Sequence, residues 1–381
     1  MTASSPRETN PADIEIVTNP ERFNALRPAW DALWARSSKD GIFLSFDCCM
    51  HAWQTIAAPT GRKLFCLVGW NKGRMVAVWP LLTCRKHAWK YVQPLNAIGA
   101  ESADILTDDT VDQQDWIRSA WRVMSKNSKS DVIMLPYIRT GTGLRCMLSD
   151  CGQRAMIDDG VAFCAHLRGE RDWDSYCNSL SKSHRRQHAS LRRRLSELGS
   201  LQFEIVQAGD PRCPQLIDWL LTNKRTWAER TGKKGHWLFA GSYQEFLVRL
   251  LADSAHPKRL IMSLTLDGAP ICVKIVAAGK YTLEGLIAGF DARYEKYSPG
   301  NRLDEYGVKW SFEQKLDYDF GVGTESFKKF WSRNNPIEAP TFHIPNSWWG
   351  QVAIYLRSRR KALQMKRSNL SPQAVAVETG L

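Results

Sequence analysis

Three apolar runs follow one another in the C-terminal half: Leu260–Leu266, Pro270–Ala278 and Tyr281–Phe290. Only the turn signals Asp267-Gly268 and Gly279-Lys280 separate them. That spacing predicts three successive strands joined by hairpin turns, and it fixes the local architecture more firmly than any other part of the chain. A polar loop and Ser298-Pro299-Gly300 come next, and then a helix from Asn301 to about Lys315. A short strand, Tyr318–Phe320, leads through Gly321-Val322-Gly323 into a short helix carrying Glu325, Phe327, Lys328 and Trp331.

The rest of the second half reads as a strand at Val161–Leu167 and one long helix from about Arg171 to Leu198, stopped by Gly199. A strand at Leu201–Val206 and helices at Pro214–Ala228 and Tyr243–Leu251 follow. In the first half, Ile14–Val17 reads as a strand. Pro20 opens a helix whose Phe23, Leu26, Trp30 and Leu33 share one face. A second helix covers Phe46–Ile56, and Asn71-Lys72-Gly73 joins the strands Lys63–Trp70 and Arg74–Thr83. Asp112–Met124 reads as helix and Asp131–Ile138 as strand. The alternation gives an α/β (α+β) chain, and 381 residues suit two domains rather than one core. The glycine-rich stretch Thr140–Gly160 marks the expected boundary. The expected division is an arm over residues 1–12, a first domain over 13–150, a second over 160–362 that carries the active site, and a tail over 363–381.

Composition narrows the function. Apolar residues are 44% and charged residues 24%, which are globular values. The 16 Trp belong in cores or grooves, since that much exposed indole would aggregate. The ten cysteines show no zinc spacing, and several sit inside apolar runs, so reduced thiols and a cytoplasmic protein are expected. Residues 1–13 lack the apolar core of a secretory signal. The best membrane-span candidate, Leu260–Gly279, is interrupted by Asp267 and Lys274. A net charge of +13 favours polyanionic partners: nucleic acid, phosphorylated cofactors, nucleotide-linked substrates or acidic lipid headgroups.

Three groups of residues can carry chemistry. Ser298, Gly300, Asn301 and Arg302 lie where a strand gives way to a helix, so free N–H groups, a close-approach glycine and a cation meet there. Asp319, Glu325 and Lys328 cluster around two glycines at a strand end, where open α/β sheets tend to place their sites. Lys328 reads as a flexible cation at the mouth of the sheet. Lys182, Arg185, Arg186, Arg192, Arg193 and Arg194 form a basic stretch without an acid among them, suited either to solvent or to an anion such as RNA. His184 and His188 lack a third ligand, so no metal is expected. Walker, dinucleotide and nucleophile-elbow motifs are absent.

Taken together, Tyr281…Gly289-Phe290-Asp291…Tyr294…Ser298-Pro299-Gly300…Leu303 and Asp319-Phe320…Gly323…Glu325…Phe327-Lys328…Trp331 resemble the C-terminal signature of the CelD/BcsL-like acetyltransferases. These belong to the GNAT superfamily and are similar to the FemABX peptidyltransferases. Leu180-Ser181-Lys182…Arg185…Leu191-Arg192-Arg193 fits the same pattern. The resemblance covers about residues 14–345. It implies two tandem GNAT-like domains with mixed, mainly antiparallel sheets flanked by helices. It implies acyl transfer to an amine or hydroxyl, in envelope, cellulose or exopolysaccharide synthesis, with no metal. Ser298, Gly300, Asn301 and Arg302 would hold the donor. Backbone N–H groups of Tyr281–Phe290 would hold the oxyanion, and Glu284 or Asp319 would take the proton, with Lys328 beside them. Tyr281, Glu325 and Arg185 would contact substrate. The usual GNAT pyrophosphate loop is missing, and Phe327 stands where relatives often have Tyr. The donor is therefore open between acetyl-CoA or another acyl-CoA and aminoacyl-tRNA. A non-catalytic RNA- or synthase-binding module is the rival from another class.

Overall fold

The computed structural model describes residues 13–39, 41–95, 104–109, 112–150, 155–233, 235–252 and 257–369. The arm expected over residues 1–12 lies outside them. The first half contributes strands β1 (Asp13–Val17), β2 (Lys63–Leu64), β3 (Cys66–Asn71), β4 (Arg74–Trp79), β5 (Leu81–Lys86), β6 (Trp89–Pro94), β7 (Leu106–Thr107), β8 (Val132–Leu135) and β9 (Met156–Asp158). The second contributes β10 (Val161–Ala165), β11 (Leu201–Gln207), β12 (Lys258–Leu266), β13 (Ala269–Ala278), β14 (Thr282–Phe290), β15 (Asp317–Val322), β16 (Pro336–Glu338) and β17 (Thr341–Pro345).

Among the described residues three sheets result, in the orders β1-β3-β4-β7, β2-β5-β6-β8-β17-β9 and β11-β12-β13-β14-β15-β10-β16. The fold is mixed α/β, and among the described residues its strand pairs are antiparallel apart from β6/β8 and β14/β15. Each parallel pair is joined through a helix, Gln113–Asn127 in the first half and Pro299–Glu313 in the second. A crossover of this kind is what parallel neighbours require.

The seven-stranded sheet is covered on both faces, and β12 displays why. Ile261 points into a core with Ile217, Leu220, Leu247 and first-half residues Ile42, Cys48 and Ala52. Leu260, Met262, Leu264 and Leu266 point the other way, against Leu303, Val308, Phe330 and Trp331. Strict two-residue alternation thus feeds two cores, and burial of each such aliphatic side chain contributes roughly 1.5–3 kcal/mol.

Three expectations are corrected. The helix expected over Arg171–Leu198 is two, Trp173–Ser179 and Lys182–Ser196, because Leu180 turns extended and buries itself in the core. The stretch 140–160 is not a bare linker: Gly143–Asp150 is a helix whose Leu144, Met147 and Leu148 enter the first-half core, and β9 follows it. The C-terminal segment does not close the second half. After β16 pairs with β10, β17 crosses to the first half and inserts between β8 and β9. The helix Trp348–Asn369 follows it, running past the expected start of a tail at residue 363.

Close contact pins that helix. A Cβ at Gly350 would sit 1.9 Å from the Asp131 carbonyl oxygen, so only glycine fits. Farther along, Arg357 (2.9 Å) and Lys361 (2.7 Å) donate to the Asp158 carboxylate, which His343 Nε2 also approaches at 3.1 Å. Burial opposes ionisation of Asp158, but the hydrogen bonds from Lys361 and Arg357 outweigh it and hold the carboxyl at about 2. A depressed folded-state pKa stabilises above the unfolded value, near 4, and that contribution is lost as pH falls through about 2. Asp158→Asn is expected to cost on the order of 1–2 kcal/mol at neutral pH and almost nothing near pH 2. Urea unfolding of both proteins across that range measures it; a cost that does not change with pH would contradict the coupling.

Candidate active site between the two halves

The parallel strands β14 and β15 pair only over Thr282–Glu284 and Asp317–Asp319. Beyond Glu284 and Asp319 they part. β14 runs on to Phe290 against β13 alone, and β15 turns to β10. Each strand carries one extra residue just past that point: Leu286 is skipped between Gly285 and Ile287 in the ladder with β13, and Phe320 between Asp319 and Gly321 in the ladder with β10. Such bulges bend a strand and leave the extra residue's backbone groups out of the ladder. Gly321 and Gly323 continue the turn at φ +69° and +136°, values an L side chain rarely adopts.

The wedge opens into a cleft of about 270 Å³. Glu284, Gly285, Leu286, Asp319, Phe320 and Lys328 line its second-half wall. Phe43, Tyr137 and Arg139 line the opposite wall, with Tyr243 and Phe246 at one side. Of the residues singled out in the sequence, Glu284, Asp319 and Lys328 are therefore brought together.

The two carboxylates stand opposite one another in the β14/β15 register, and each is held by the first half. Glu284 Oε2 accepts the Ile42 N–H at 2.7 Å. Asp319 Oδ2 accepts from Arg139 Nη1 at 2.5 Å, while its Oδ1 accepts the Gly321 N–H at 2.8 Å. Burial works against the Arg139 charge, yet Asp319, with help from Glu284, raises its pKa above the usual guanidinium value. Both oxygens of Asp319 are thus engaged in holding a cation and a turn. Neighbouring Cys164 is pushed up by burial and by Asp319, so its thiol stays protonated.

Lys328 is not the flexible cation expected. It is buried, donates to the Val322 carbonyl at 2.5 Å and pairs with Glu325 at 3.0 Å, strapping the Gly321–Gly323 turn to the short helix Ser326–Trp331. Glu325 serves this strap and does not line the cleft. Burial raises its pKa, but Lys328 prevails and lowers it below the ordinary carboxylate value. Tyr281 lies just before β14, beneath the Arg168 guanidinium at 4.5 Å, away from the wedge. Arg185 sits on the basic helix and donates to Asn178 at 2.9 Å, and that helix is tied to Glu305 by Arg192.

At the start of Pro299–Glu313 the left-handed residue is Ser298 (φ 51°) rather than Gly300. Its carbonyl accepts the N–H groups of Asn301 (3.0 Å) and Arg302 (3.4 Å), and the Arg302 guanidinium folds back onto Glu305 and Tyr306, both at 2.7 Å. The Asn301 and Arg302 N–H groups and the Arg302 guanidinium are therefore committed within their own turn. Gly300 faces open space: a Cβ at this position would meet nothing within 4 Å. His188 stacks on Phe330 at 4.5 Å, and His184 meets the same ring at 5.8 Å, tilted by 51°.

Sequence reasoning missed Arg139, Tyr137, Phe43, Tyr243 and Phe246. A lone arginine in the loop after β8 has no motif, and its partner is 180 residues away. It also missed the buried Lys274–Asp304 ion pair, where the Tyr318 hydroxyl lies 3.2 Å from Lys274 Nζ. That pair ties the helix Pro299–Glu313 to β13 beneath the wedge.

The comparisons agree with this geometry. Residues 182–329 match the family model described as an acetyltransferase (GNAT) domain, a span that includes β11–β15 and the wedge. The second half thus carries a GNAT-type acyltransferase domain. Among solved structures, FemX is 13% identical, with 89% of this chain and 99% of that chain covered at a TM-score of 0.59. The C-terminal domain of a putative lysylphosphatidylglycerol synthetase from Agrobacterium fabrum is 14% identical, with 87% and 96% covered at 0.53. A tandem GNAT protein from the clavulanic acid biosynthesis pathway is 10% identical, with 88% and 99% covered at 0.50. Identities this low speak for the fold alone. No curated protein sequence matches the chain.

Proposed function

We propose that the chain transfers an acyl group, acetyl in the simplest case, from acyl-CoA to an amine or hydroxyl acceptor. The observation that carries this reading is the parting of β14 and β15 beside Glu284. Strand edges that have lost their ladder partner offer N–H and C=O groups to an extended thioester arm. The Leu286 bulge supplies an N–H group for the oxyanion that forms as the acceptor attacks the carbonyl. Glu284 takes the acceptor's proton as the new C–N or C–O bond forms. The C–S bond then breaks, and the thiolate leaves to be protonated. Asp319, occupied by Arg139 and Gly321, holds the turn rather than acting as base. The open face at Gly300 is where the donor's phosphates approach the helix. An acceptor in polysaccharide or envelope synthesis follows from the family resemblance alone.

An aminoacyl-tRNA donor is the second reading, favoured by the fold likeness to FemX and by the exposed basic helix Lys182–Ser196. Melting curves separate the two. With acyl-CoA at a hundredfold over its Kd, stabilisation of about 2.7 kcal/mol is expected. Gly300→Val should keep the fold, since its side chain meets open space, and weaken CoA binding by roughly tenfold, about 1.4 kcal/mol. No response to CoA, together with salt-dependent binding of charged tRNA, would replace the first reading by the second.

A further inference from the structure

The helix Trp348–Asn369 wears its amphipathicity inside out. Its inner face, Gly350, Ala353, Arg357 and Lys361, meets the first-half sheet, and the two cations there are spent on Asp158. Its outer face carries Trp348, Tyr355, Leu356 and Leu363, which are 73%, 56%, 41% and 59% exposed. At 100° per residue these four fall within one third of the helix circumference, a continuous apolar stripe. A surface helix normally turns such a stripe inward, and here the sheet has not taken it.

Charge says what covers it. From Trp348 to Leu363 the helix has no Asp or Glu. Arg359 lies in the stripe, donating to the Tyr355 hydroxyl at 3.0 Å, and exposed Arg360 flanks it. The neighbouring strands add more cations. Lys86 feels Arg62 and Arg357 as like charges, and Lys90 feels Lys63, Arg85 and Lys129. A second copy of the chain would bring this positive field against itself. Nucleic acid would match the charge but leave Leu356 and Leu363 in water. Aromatic and aliphatic side chains interleaved with arginine suit the headgroup region of an anionic bilayer, where the apolar stripe sinks in and the cations meet the lipid phosphates.

We propose that the outer face of the helix Trp348–Asn369 docks the protein, peripherally, on an anionic membrane surface. No helix among the described residues is long and apolar enough to cross a membrane, so the contact lies in the interface plane. It is independent of the catalytic reading, because the stripe lies outside the cleft between β14 and β15.

Co-sedimentation of the full chain tests it, with vesicles of phosphatidylcholine alone and of equal parts phosphatidylcholine and phosphatidylglycerol. Binding is expected only to the anionic vesicles, weakening as salt rises. Leu356→Ser with Leu363→Ser should lower the partition by about tenfold or more, and Arg359→Gln with Arg360→Gln by about fivefold per charge. All four side chains are exposed, so melting curves should match wild type. Hydrogen exchange on the unaltered protein gives a readout free of mutation: anionic vesicles should protect the helix Trp348–Asn369. Three results would overturn the proposal. One is no wild-type binding to the anionic vesicles. Another is equal binding by the leucine variant without protection of the helix. The third is concentration-dependent dimerisation that the leucine variant abolishes, which would make the stripe a subunit interface.

Discussion

Glu284→Gln is expected to lower kcat for acyl transfer by about 10²–10⁴-fold while leaving the fold in place. The bond that ties this side chain to the first half survives the change. Glu284 Oε2 accepts the Ile42 N–H at 2.7 Å, and a glutamine oxygen still accepts it, though more weakly than a carboxylate. The substitution is nearly isosteric, so the stability change should stay within about 1 kcal/mol. What disappears is the ability to receive a proton. An acceptor amine or alcohol must then shed its proton to water, and the variant should regain rate as pH rises and the acceptor deprotonates by itself. Release of the CoA thiol in the presence of amine and sugar acceptors, followed across pH beside melting curves, measures both effects. A variant as fast as wild type would remove Glu284 from the chemistry and return the choice of base to Asp319 or to water.

How much of this could be read from residues alone varies with the range of the contact. The hairpin at Asp267-Gly268 was legible because both residues need positive φ, and they have it, at 49° and 82°. The ladder it closes, β12 with β13, follows from that local turn chemistry. Asp319 could be named because it lies at a strand end and Glu284 from the family resemblance, but nothing local said that they would be register partners. The break at Leu180 was hidden, since the leucine fits a helical stripe and an extended core position equally well. β17 was hidden for a stronger reason. Its neighbours β8 and β9 lie about two hundred residues earlier in the chain, and pairing at that separation is decided by tertiary packing, not by pattern. The orientation of Trp348–Asn369 was equally opaque, because Asp158, which draws its cations inward, is a single acid on a distant strand.

Asp319→Ala is expected to destabilise the protein by about 3–5 kcal/mol, more than removal of most aliphatic core groups would. Arg139 is the cause. Its guanidinium is largely buried between the halves, its Nε has no hydrogen-bond partner, and Asp319 lies 2.5 Å from Nη1. Removing the carboxylate strands a positive charge that cannot be neutralised, since arginine keeps its proton. The same substitution frees the Gly321 N–H, so the turn that shapes the wedge loses its anchor. Arg139→Ala should cost less, because the Asp319 carboxylate keeps that N–H and can reach cleft water. Replacing the pair together, Arg139→Met with Asp319→Leu, should recover much of the loss, as buried ion pairs often give way to apolar groups without net cost. Wild type, Arg139→Met, Asp319→Leu and the double variant form a double-mutant cycle in urea, with an expected coupling energy of about 1–3 kcal/mol. The pair joins residues 180 positions apart across the cleft, so its loss should also loosen one half from the other. The single variants should show a broadened or two-step transition where wild type shows one. Asp319→Ala unfolding within about 1 kcal/mol of wild type, in a single sharp step, would mean that water already screens this ion pair and that the halves are held together by the apolar contacts of Ile42 and Cys48 instead.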